Sequence, residues 1–317
     1  MLNNSYIPNL PDTNFNARDL LNLDFDFTVA GFSKPSLYTP LIDPSYVFDN
    51  NVSHAILSGF AHNKRVMVSG LHGTGKSTHI EQIAARLNWP CLRVNLDGHL
   101  SRMDFIGRDK IMIEDGLQIT KFQDGLLPFA LKQPIALVLD EYDAARPDVM
   151  FVLQRLLESD GKLTLIEQNL VIEAHPSFRI FATANTIGLG DNLGIYHGTN
   201  ALNHGQLDRW NIMAILNYLP EDQEMFMILS KLPSYNNKAG MALINNMVKM
   251  ANLTRNGFNA GDITCLMSPR TLINWAENHL IFQGLAKSFT YSFLNKCEIS
   301  EREIIAEYYQ RVFAVEL

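Results

Sequence analysis

The first two thirds of the chain alternate between short apolar runs and segments with helical spacing. Four apolar runs rich in β-branched residues predict strands, at 65–70, 91–97, 135–141 and 178–185. Between them, apolar residues recur every three or four positions at 76–88 and at 146–159, which predicts helices. Strands that alternate with helices are typical of a parallel sheet with crossover helices.

After Pro220 the pattern changes, and only helical spacing is found. The segments 221–232, 241–254 and 270–282 each predict an amphipathic helix. A last helix is predicted to open with the sequence SERE at 300–303, where the first serine and the last glutamate would form a capping box. The C-terminal third is therefore predicted to be all-helical.

These patterns predict an α/β fold in which a P-loop core, with a parallel sheet flanked by helices, precedes an all-helical lid domain. The core is expected over residues 46–218 and the lid over residues 219–317. Residues 1–45 are rich in Asn, Asp and Pro, so we expect an irregular N-terminal extension that its aromatic residues partly order.

Composition excludes several classes of protein. The 317 residues carry a net charge of −7 and no basic stripe, which argues against a nucleic-acid partner. The longest purely apolar run, at 135–139, is too short to span a bilayer, and the N-terminus lacks the features of a secretory signal. Three cysteines without a CxxC pair indicate reduced thiols. We therefore expect a cytoplasmic protein with no membrane contact.

The candidate chemistry begins with the sequence GLHGTGKST between a predicted strand and a predicted helix, where Gly70, Gly75, Lys76 and Ser77 match G-x-x-x-x-G-K-[ST]. In such a loop, backbone amides and a helix N-terminus surround phosphates, the lysine reaches the β- and γ-phosphates, and the serine ligates Mg²⁺. The predicted nucleotide-binding residues are Gly70, Leu71, His72, Gly73, Thr74, Gly75, Lys76, Ser77 and Thr78.

Two adjacent acids end the strand predicted at 135–141. Asp140 is the candidate ligand of Mg²⁺, and Glu141 is the candidate general base that polarises the attacking water. A pair of acids at a strand end is often only a solvated turn, but here it follows a matching phosphate-binding loop. Because a simple P-loop kinase usually needs no base beside the metal-binding acid, the pair favours hydrolysis of ATP over transfer to a substrate.

Three further polar residues are candidates, each with an ordinary alternative. Asn185 ends the next strand, where it could orient the water or simply form a turn. Arg209 could form a surface ion pair or reach a neighbouring subunit's site as an arginine finger. Arg270 follows a Ser-Pro helix start, where a cation opposes the helix dipole, so a bound γ-phosphate would account for it.

In this order, the elements resemble those of the AAA+ ATPases. The loop looks like Walker A, LVLDE at 137–141 like Walker B, TAN at 183–185 like sensor 1, DRW at 208–210 like the arginine-finger position and SPR at 268–270 like sensor 2. The resemblance covers about residues 45–317.

Longer phrases narrow the resemblance. The segments 107–131 and 161–185 look like the hairpin inserts of the MoxR branch. The phrases at 69–97, 139–158 and 181–210 closely resemble the small ATPase subunits of aerobic cobaltochelatases.

That resemblance implies a homo-oligomeric, hexameric ring that hydrolyses ATP with Mg²⁺, with Arg209 given in trans. It implies two partners: a subunit with a metal-ion-dependent adhesion-type domain and a large catalytic chelatase subunit. The implied reaction is ATP-dependent insertion of Co²⁺ into hydrogenobyrinic acid a,c-diamide in cobalamin biosynthesis, with the cobalt handled by the large subunit.

Three alternatives stay open at this point. A MoxR-type ATPase that remodels a different partner would carry the same motifs. A nucleotide-gated binding module would not require Glu141, Asn185 and Arg209, so the presence of all three argues against it. A small-molecule kinase would need neither a ring nor a long helical lid.

Overall fold

The structure is a computed structural model that describes residues 10–96, 100–114, 117–158, 161–186, 202 and 204–317. The chain divides into two compact units. The first contains the described residues up to Asp43, together with Phe48–Leu71 and Gly75–Leu216, and the second contains Pro44–Val47, His72–Thr74 and Asn217–Leu317.

The first unit alternates strands and helices along most of its length. Its elements are β1 (Thr13–Asn16), α1 (Ala17–Leu21), β2 (Thr28–Gly31), α2 (Asn50–His62), β3 (Val66–Ser69), α3 (Lys76–Arg86), β4 (Cys91–Asn95), α4 (Arg102–Ile106), β5 (Gly107–Glu114), β6 (Leu117–Asp124), α5 (Leu126–Leu131), β7 (Ala136–Asp140), α6 (Pro147–Leu156), β8 (Lys162–Leu165), β9 (Leu170–Glu173), β10 (Arg179–Ala184), α7 (His204–Asp208) and β11 (Ile212–Ile215).

A five-stranded parallel sheet organises this unit, in the order β11–β3–β10–β7–β4. The middle strands β3, β7 and β10 are buried at every position, because apolar side chains pack against both faces of the sheet. Consequently, the carboxyl ends of β3, β7 and β10 lie side by side at one edge, as in other parallel α/β sheets that bind ligands there.

The α/β prediction is confirmed. Each predicted strand and helix of this unit is two residues shorter than its pattern indicated, except the helix predicted at 146–159, which is four residues shorter and ends at Leu156. Positions 97 and 159, which end a predicted strand and a predicted helix, lie outside the described residues, as does the stretch 187–201 of the phrase at 181–210. The edge strand β11 was not predicted. Its four residues alternate between half-buried and exposed, so they form no continuous apolar run.

Two antiparallel hairpins form two-stranded sheets separate from the parallel sheet, as the family resemblance implied. Strands β5 and β6 pair from Gly107–Asp124 to Glu114–Leu117, and β8 pairs with β9. The first hairpin exposes apolar side chains near its turn: Ile113 is 79% exposed and Leu117 is 69% exposed.

The N-terminal segment is more regular than the sequence indicated. Strands β1 and β2 form an antiparallel ribbon, and the side chains of Ala17, Val29 and Phe32 are buried in the core of the first unit. The Phe32 amide donates to the Leu87 carbonyl at 2.9 Å, which ties the ribbon to the end of α3. Packing against this core orders a segment whose own Asn, Asp and Pro content predicted irregular chain.

The second unit contains five α-helices among its described residues: α8 (Glu221–Lys231), α9 (Lys238–Ala260), α10 (Pro269–Phe282), α11 (Leu285–Ser292) and α12 (Arg302–Phe313). The all-helical prediction is confirmed. No helix in the described part of the chain has both the length and the apolar character needed to cross a membrane.

The predicted capping box at the last helix is wrong. A 3₁₀ turn, Ile299–Glu301, precedes α12, and no side chain caps that helix. Glu301, rather than Ser300, therefore occupies the N-cap position, and the predicted pair of Ser300 and Glu303 does not form. The Glu301 carboxylate does not cap the helix, because it accepts from the Thr264 amide at 2.7 Å.

A buried ion pair holds helices α8 and α9 together. The Arg255 guanidinium donates to both Glu224 oxygens, at 2.7 and 2.8 Å, and the two side chains are 5% and 0% exposed. Arg255 also donates to the Met267 carbonyl at 2.9 Å and lies 4.1 Å from the ring centroid of Tyr218. Helical periodicity gave no sign of this pair, since Glu224 interrupts an apolar face.

We expect the variant Glu224→Gln to lower the free energy of unfolding by about 3–5 kcal/mol, because it leaves the Arg255 guanidinium buried without its counter-charge. Urea denaturation followed by circular dichroism measures this loss. The control Asp26→Asn breaks an exposed ion pair with Arg18 and should leave the unfolding midpoint unchanged. Equal effects of the two variants would contradict the expectation.

Candidate nucleotide-binding and hydrolysis site

The predicted phosphate-binding loop joins β3 to α3, and its glycines adopt backbone conformations that favour glycine. Gly70 has φ 151°, and a Cβ there would lie 2.2 Å from the Leu216 carbonyl oxygen. Gly75 has φ 91° and is the N-cap of α3. The loop thus needs glycine at both positions to bring its backbone to the N-terminus of a helix, which is the arrangement that binds phosphate.

Lys76 is buried at the start of α3, where its ammonium group makes three hydrogen bonds. It donates to the carbonyls of Gly70 and Leu71, at 2.8 and 3.0 Å, and to Asn185 Oδ1 at 2.9 Å. Burial lowers the pKa of Lys76 to about 8, although the nearby carboxylates, Asp140 foremost, oppose that shift. The structure therefore brings together Lys76 and Asn185, two residues that the sequence predicted separately.

Asp140, at the end of β7, is the centre of a hydrogen-bond network. Its Oδ1 accepts from Ser77 Oγ at 2.6 Å and from the Thr183 hydroxyl, and its Oδ2 accepts from Arg93. Burial alone would raise the pKa of Asp140, but the hydrogen bonds from Ser77, Thr183 and Arg93 outweigh burial, and the pKa lies below its usual value. The carboxylate is therefore ionised at neutral pH.

The donor atoms at this point fit Mg²⁺. An ionised carboxylate and a serine hydroxyl are hard oxygen ligands, which Mg²⁺ prefers, and Ser77 and Asp140 already lie in hydrogen-bond contact. The described part of the chain contains no cluster of three or more His, Cys, Asp or Glu side chains able to hold a metal ion.

Glu141 follows Asp140 in an unusual backbone conformation. It has φ 57° and ψ 48°, the left-handed region that a non-glycine residue seldom adopts, and it opens the 3₁₀ turn Tyr142–Ala144. Its amide donates to Thr183 Oγ1 at 3.1 Å. Such strained residues concentrate at functional sites, and the role of Glu141 as general base stays a prediction.

Two residues that the sequence analysis missed support the predicted ones. Asp143 is fully buried, and its Oδ2 accepts from the amides of Asn185 and Thr186 at 3.0 and 2.9 Å, so it fixes the end of β10. Arg93, on β4, contacts Asp140. A third acid in DEYD was a weak signal for Asp143, whereas nothing in the local sequence marked Arg93.

Arg209 lies apart from this network within the first unit. Its guanidinium pairs with the Glu158 carboxylate, with nitrogen–oxygen distances of 2.8 and 2.9 Å, and donates to the Gly205 carbonyl at 2.6 Å. None of its hydrogen bonds to described residues reaches Lys76 or Asp140. In one copy of the chain, Arg209 thus forms the ion pair that was its ordinary alternative.

Arg270 belongs to the second unit, as the second residue of α10, and is exposed. As predicted, Ser268 caps the helix by accepting from the Thr271 amide, and Pro269 is its first residue. His72–Thr74 group with the same unit, where the Tyr218 hydroxyl donates to the His72 carbonyl at 2.9 Å.

Known families match two parts of the chain. The family described as "AAA domain (dynein-related subfamily)" matches residues 65–194, and the family "Cobaltochelatase CobS subunit N terminal" matches residues 6–38. The aerobic cobaltochelatase subunit CobS of Sinorhizobium sp. is 56% identical over 98% of this chain and 94% of that relative. The chain belongs to the family of CobS subunits.

More distant relatives share parts of this CobS-family chain. Midasin of Dictyostelium discoideum is 30% identical over 75% of the chain but only 4% of its own length, and the denitrification regulatory protein NirQ of Stutzerimonas stutzeri is 30% identical over 50% of the chain and 53% of its own length. A solved putative ATPase of Cytophaga hutchinsonii is 15% identical, with a TM-score of 0.44 over 84% of this chain and 85% of that one. As a CobS-family member with an AAA domain, the chain is an ATPase subunit.

We expect nucleotide affinity to fall as the pH rises above about 8, because Lys76 then loses the proton whose charge attracts phosphate. The change should approach tenfold per pH unit once most of the free protein carries neutral lysine. Equilibrium binding of a fluorescent ATP analogue between pH 7 and pH 9.5 measures it. The variant Lys76→Met should bind weakly at every pH, and a parallel slope in that variant would assign the dependence to another group.

Proposed function

We propose that this chain is the ATP-hydrolysing motor subunit of an aerobic cobaltochelatase. The complex would insert its substrate ion Co²⁺ into hydrogenobyrinic acid a,c-diamide, a step of cobalamin biosynthesis in the cytoplasm. The observation that carries this proposal is the 56% identity to a CobS subunit across almost the whole chain. The contacts of Lys76, Ser77, Asp140 and Asn185 at one edge of the sheet support the hydrolytic part.

Each residue of the site has a proposed role in hydrolysis. The loop from Gly70 to Thr78 binds the phosphates of ATP, with the charge of Lys76 directed at them. Ser77 and Asp140 hold Mg²⁺, which neutralises charge on the phosphates when it is bound. Glu141 accepts the proton of the attacking water, and Asn185, held by Asp143, orients that water.

Two arginines complete the proposed site. Arg209 leaves Glu158 and enters the site of the neighbouring subunit in a homo-oligomeric ring, a hexamer, where it stabilises negative charge in the transition state. Arg270, at the exposed start of α10, contacts the γ-phosphate. Hydrolysis then depends on assembly of the ring, since no subunit supplies all the charges by itself.

The proposed partners are a subunit with a metal-ion-dependent adhesion-type domain and a large catalytic subunit that handles the cobalt and the tetrapyrrole. The two hairpins, β5–β6 and β8–β9, transmit movement to them. Each hairpin exposes a large apolar side chain, Ile113 on the first at 79% and Ile166 on the second at 76%, and this exposure supports the role. Neither a nucleic acid nor a membrane is a proposed partner.

A second candidate function is a MoxR-type ATPase that remodels a different partner protein. The 30% identity to NirQ over half of the chain supports this second candidate. It would have the same hydrolytic site. A pull-down that recovers an unrelated protein with an adhesion-type domain, and no chelatase subunit, would favour this candidate.

Reconstitution with the two partner subunits tests the proposed function. We expect cobalt insertion only when ATP and all three proteins are present. The variant Glu141→Gln should bind ATP with nearly unchanged affinity but lose hydrolysis and insertion together, by at least about a hundredfold, because the amide cannot accept a proton from water. If cobalt insertion survives in this variant, the motor role is contradicted and a nucleotide-gated binding module is favoured.

Mixed rings test whether sites are shared. Lys76→Ala subunits cannot bind ATP but carry Arg209, whereas Arg209→Ala subunits bind ATP but supply no arginine. We expect each variant to be inactive alone and a mixture of the two to recover part of the hydrolysis rate. Mixtures that stay as inactive as their components would contradict the in-trans role.

A further inference from the structure

A buried aromatic contact connects the hydrolytic turn to the segment that carries Arg209. Tyr142 is 0% exposed and Trp210 is 5% exposed. Their ring centroids lie 5.2 Å apart with an interplanar angle of 86°, the edge-to-face geometry that aromatic pairs prefer. Tyr142 follows Glu141 directly, and Trp210 follows Arg209 directly.

The Tyr142 side of the contact is held by the residues that orient the attacking water. Tyr142 opens the 3₁₀ turn that starts from the left-handed Glu141 and contains Asp143. Asp143 accepts from the amides of Asn185 and Thr186, so the turn and the end of β10 form one hydrogen-bonded group. A shift of this group therefore moves the Tyr142 ring.

The Trp210 side of the contact is equally well defined. The Trp210 amide donates to the Leu207 carbonyl at 3.0 Å, and β11 begins two residues later, with the Ile212 amide donating to the Arg65 carbonyl at 3.1 Å. Its neighbour Arg209 pairs with Glu158. The indole is therefore the buried anchor of the chain that presents the Arg209 guanidinium.

The polar atoms of the pair are buried as well. The two side chains interact with each other, but neither the Tyr142 hydroxyl nor the Trp210 indole nitrogen has a well-aligned hydrogen bond to a described residue. Buried polar atoms with poor hydrogen-bond geometry are unfavourable, and phenylalanine in both places would avoid that cost. Stability alone therefore does not explain the pair.

We propose that Tyr142 and Trp210 are positioning residues, which set the place of Arg209 according to the state of the Glu141 turn in the same subunit. This inference rests on the proposed in-trans role of Arg209. Through this contact, the hydrolytic state of one site controls the arginine that its own subunit offers to the next site. Hydrolysis at one site of the ring would thereby be coupled to hydrolysis at the neighbouring site.

Substitutions on either side of the contact test the proposal. Tyr142→Leu and Trp210→Leu each remove the ring contact, and we expect each to lower the hydrolysis rate about tenfold or more while ATP-analogue affinity stays within about twofold. The double variant should be no slower than the slower single variant, because both changes break one contact. Tyr142→Phe keeps the ring and should retain most of the rate.

The matched control is Trp89→Leu. Trp89 is also buried, its indole nitrogen likewise lacks a well-aligned hydrogen bond to a described residue, and it packs edge-to-face against Phe32 with ring centroids 5.2 Å apart. It should lower thermal stability without lowering the hydrolysis rate at a temperature where the protein is folded. Rate losses of equal size in Trp89→Leu and Trp210→Leu would mean that the effect is loss of packing, and the proposal would fall.

Mixing each variant with Glu141→Gln subunits locates the defect. A Glu141→Gln subunit cannot hydrolyse ATP but presents an intact Arg209, so it should rescue sites in Trp210→Leu, Tyr142→Leu and Arg209→Ala subunits alike. If Arg209→Ala is rescued and Tyr142→Leu is not, Tyr142 serves only its own site and this inference fails alone. If Arg209→Ala is not rescued, the in-trans role fails and the inference falls with it.

The Trp210→Leu variant keeps the proposal testable if Tyr142→Leu does not fold. Should Tyr142→Leu fail to fold, Trp210→Leu breaks the same contact from the less buried side. Rescue of Trp210→Leu by Glu141→Gln subunits, with Tyr142→Phe active, then supports the proposal. Failure of that rescue, while Arg209→Ala is rescued, overturns it.

Discussion

The first unit depends on one buried carboxylate. Asp140 ends the interior strand β7, and hydrogen bonds reach it from Ser77 at the start of α3, from Thr183 on β10 and from Arg93 on β4. An ionised carboxylate removed from water is strongly unfavourable unless it is compensated. The three elements must therefore keep one spacing at the carboxyl edge of the sheet, and that spacing is the geometry of the nucleotide site.

The contacts among the candidate catalytic residues also follow from the carboxyl edge of the sheet. Because the parallel register places the ends of β3, β7 and β10 side by side, Lys76, Asp140 and Asn185 come together at that edge. The chain then turns sharply at Glu141, and Asp143 returns to fix Asn185. This short turn thus contains Glu141, the proposed general base, and the ring of Tyr142, and through Asp143 it holds Asn185, the proposed water-orienting residue.

The hydrophobic pattern predicted a strand or helix correctly where the residues of that element are enough to specify it. The strands of the sheet, the helices α3 and α6, and the Ser268 cap of α10 all follow from periodicity and capping chemistry. Pattern failed where a tertiary partner decided the outcome. A 3₁₀ turn places Glu301 rather than Ser300 before the last helix, and the N-terminal ribbon is ordered by a core that its own residues do not reveal.

The sequence by itself determined the α/β order of elements, the phosphate-binding loop, the acid pair at 140–141 and membership of the CobS family, because each of these is written in contiguous residues. Only the tertiary structure decided the roles of Arg93 and Asp143, the ion pair of Arg209 and the contact between Tyr142 and Trp210. Those partners lie far apart along the chain, 47 residues for Arg93 and Asp140 and 42 for Asp143 and Asn185. Strand register and core packing bring them together, and no local spacing encodes that meeting.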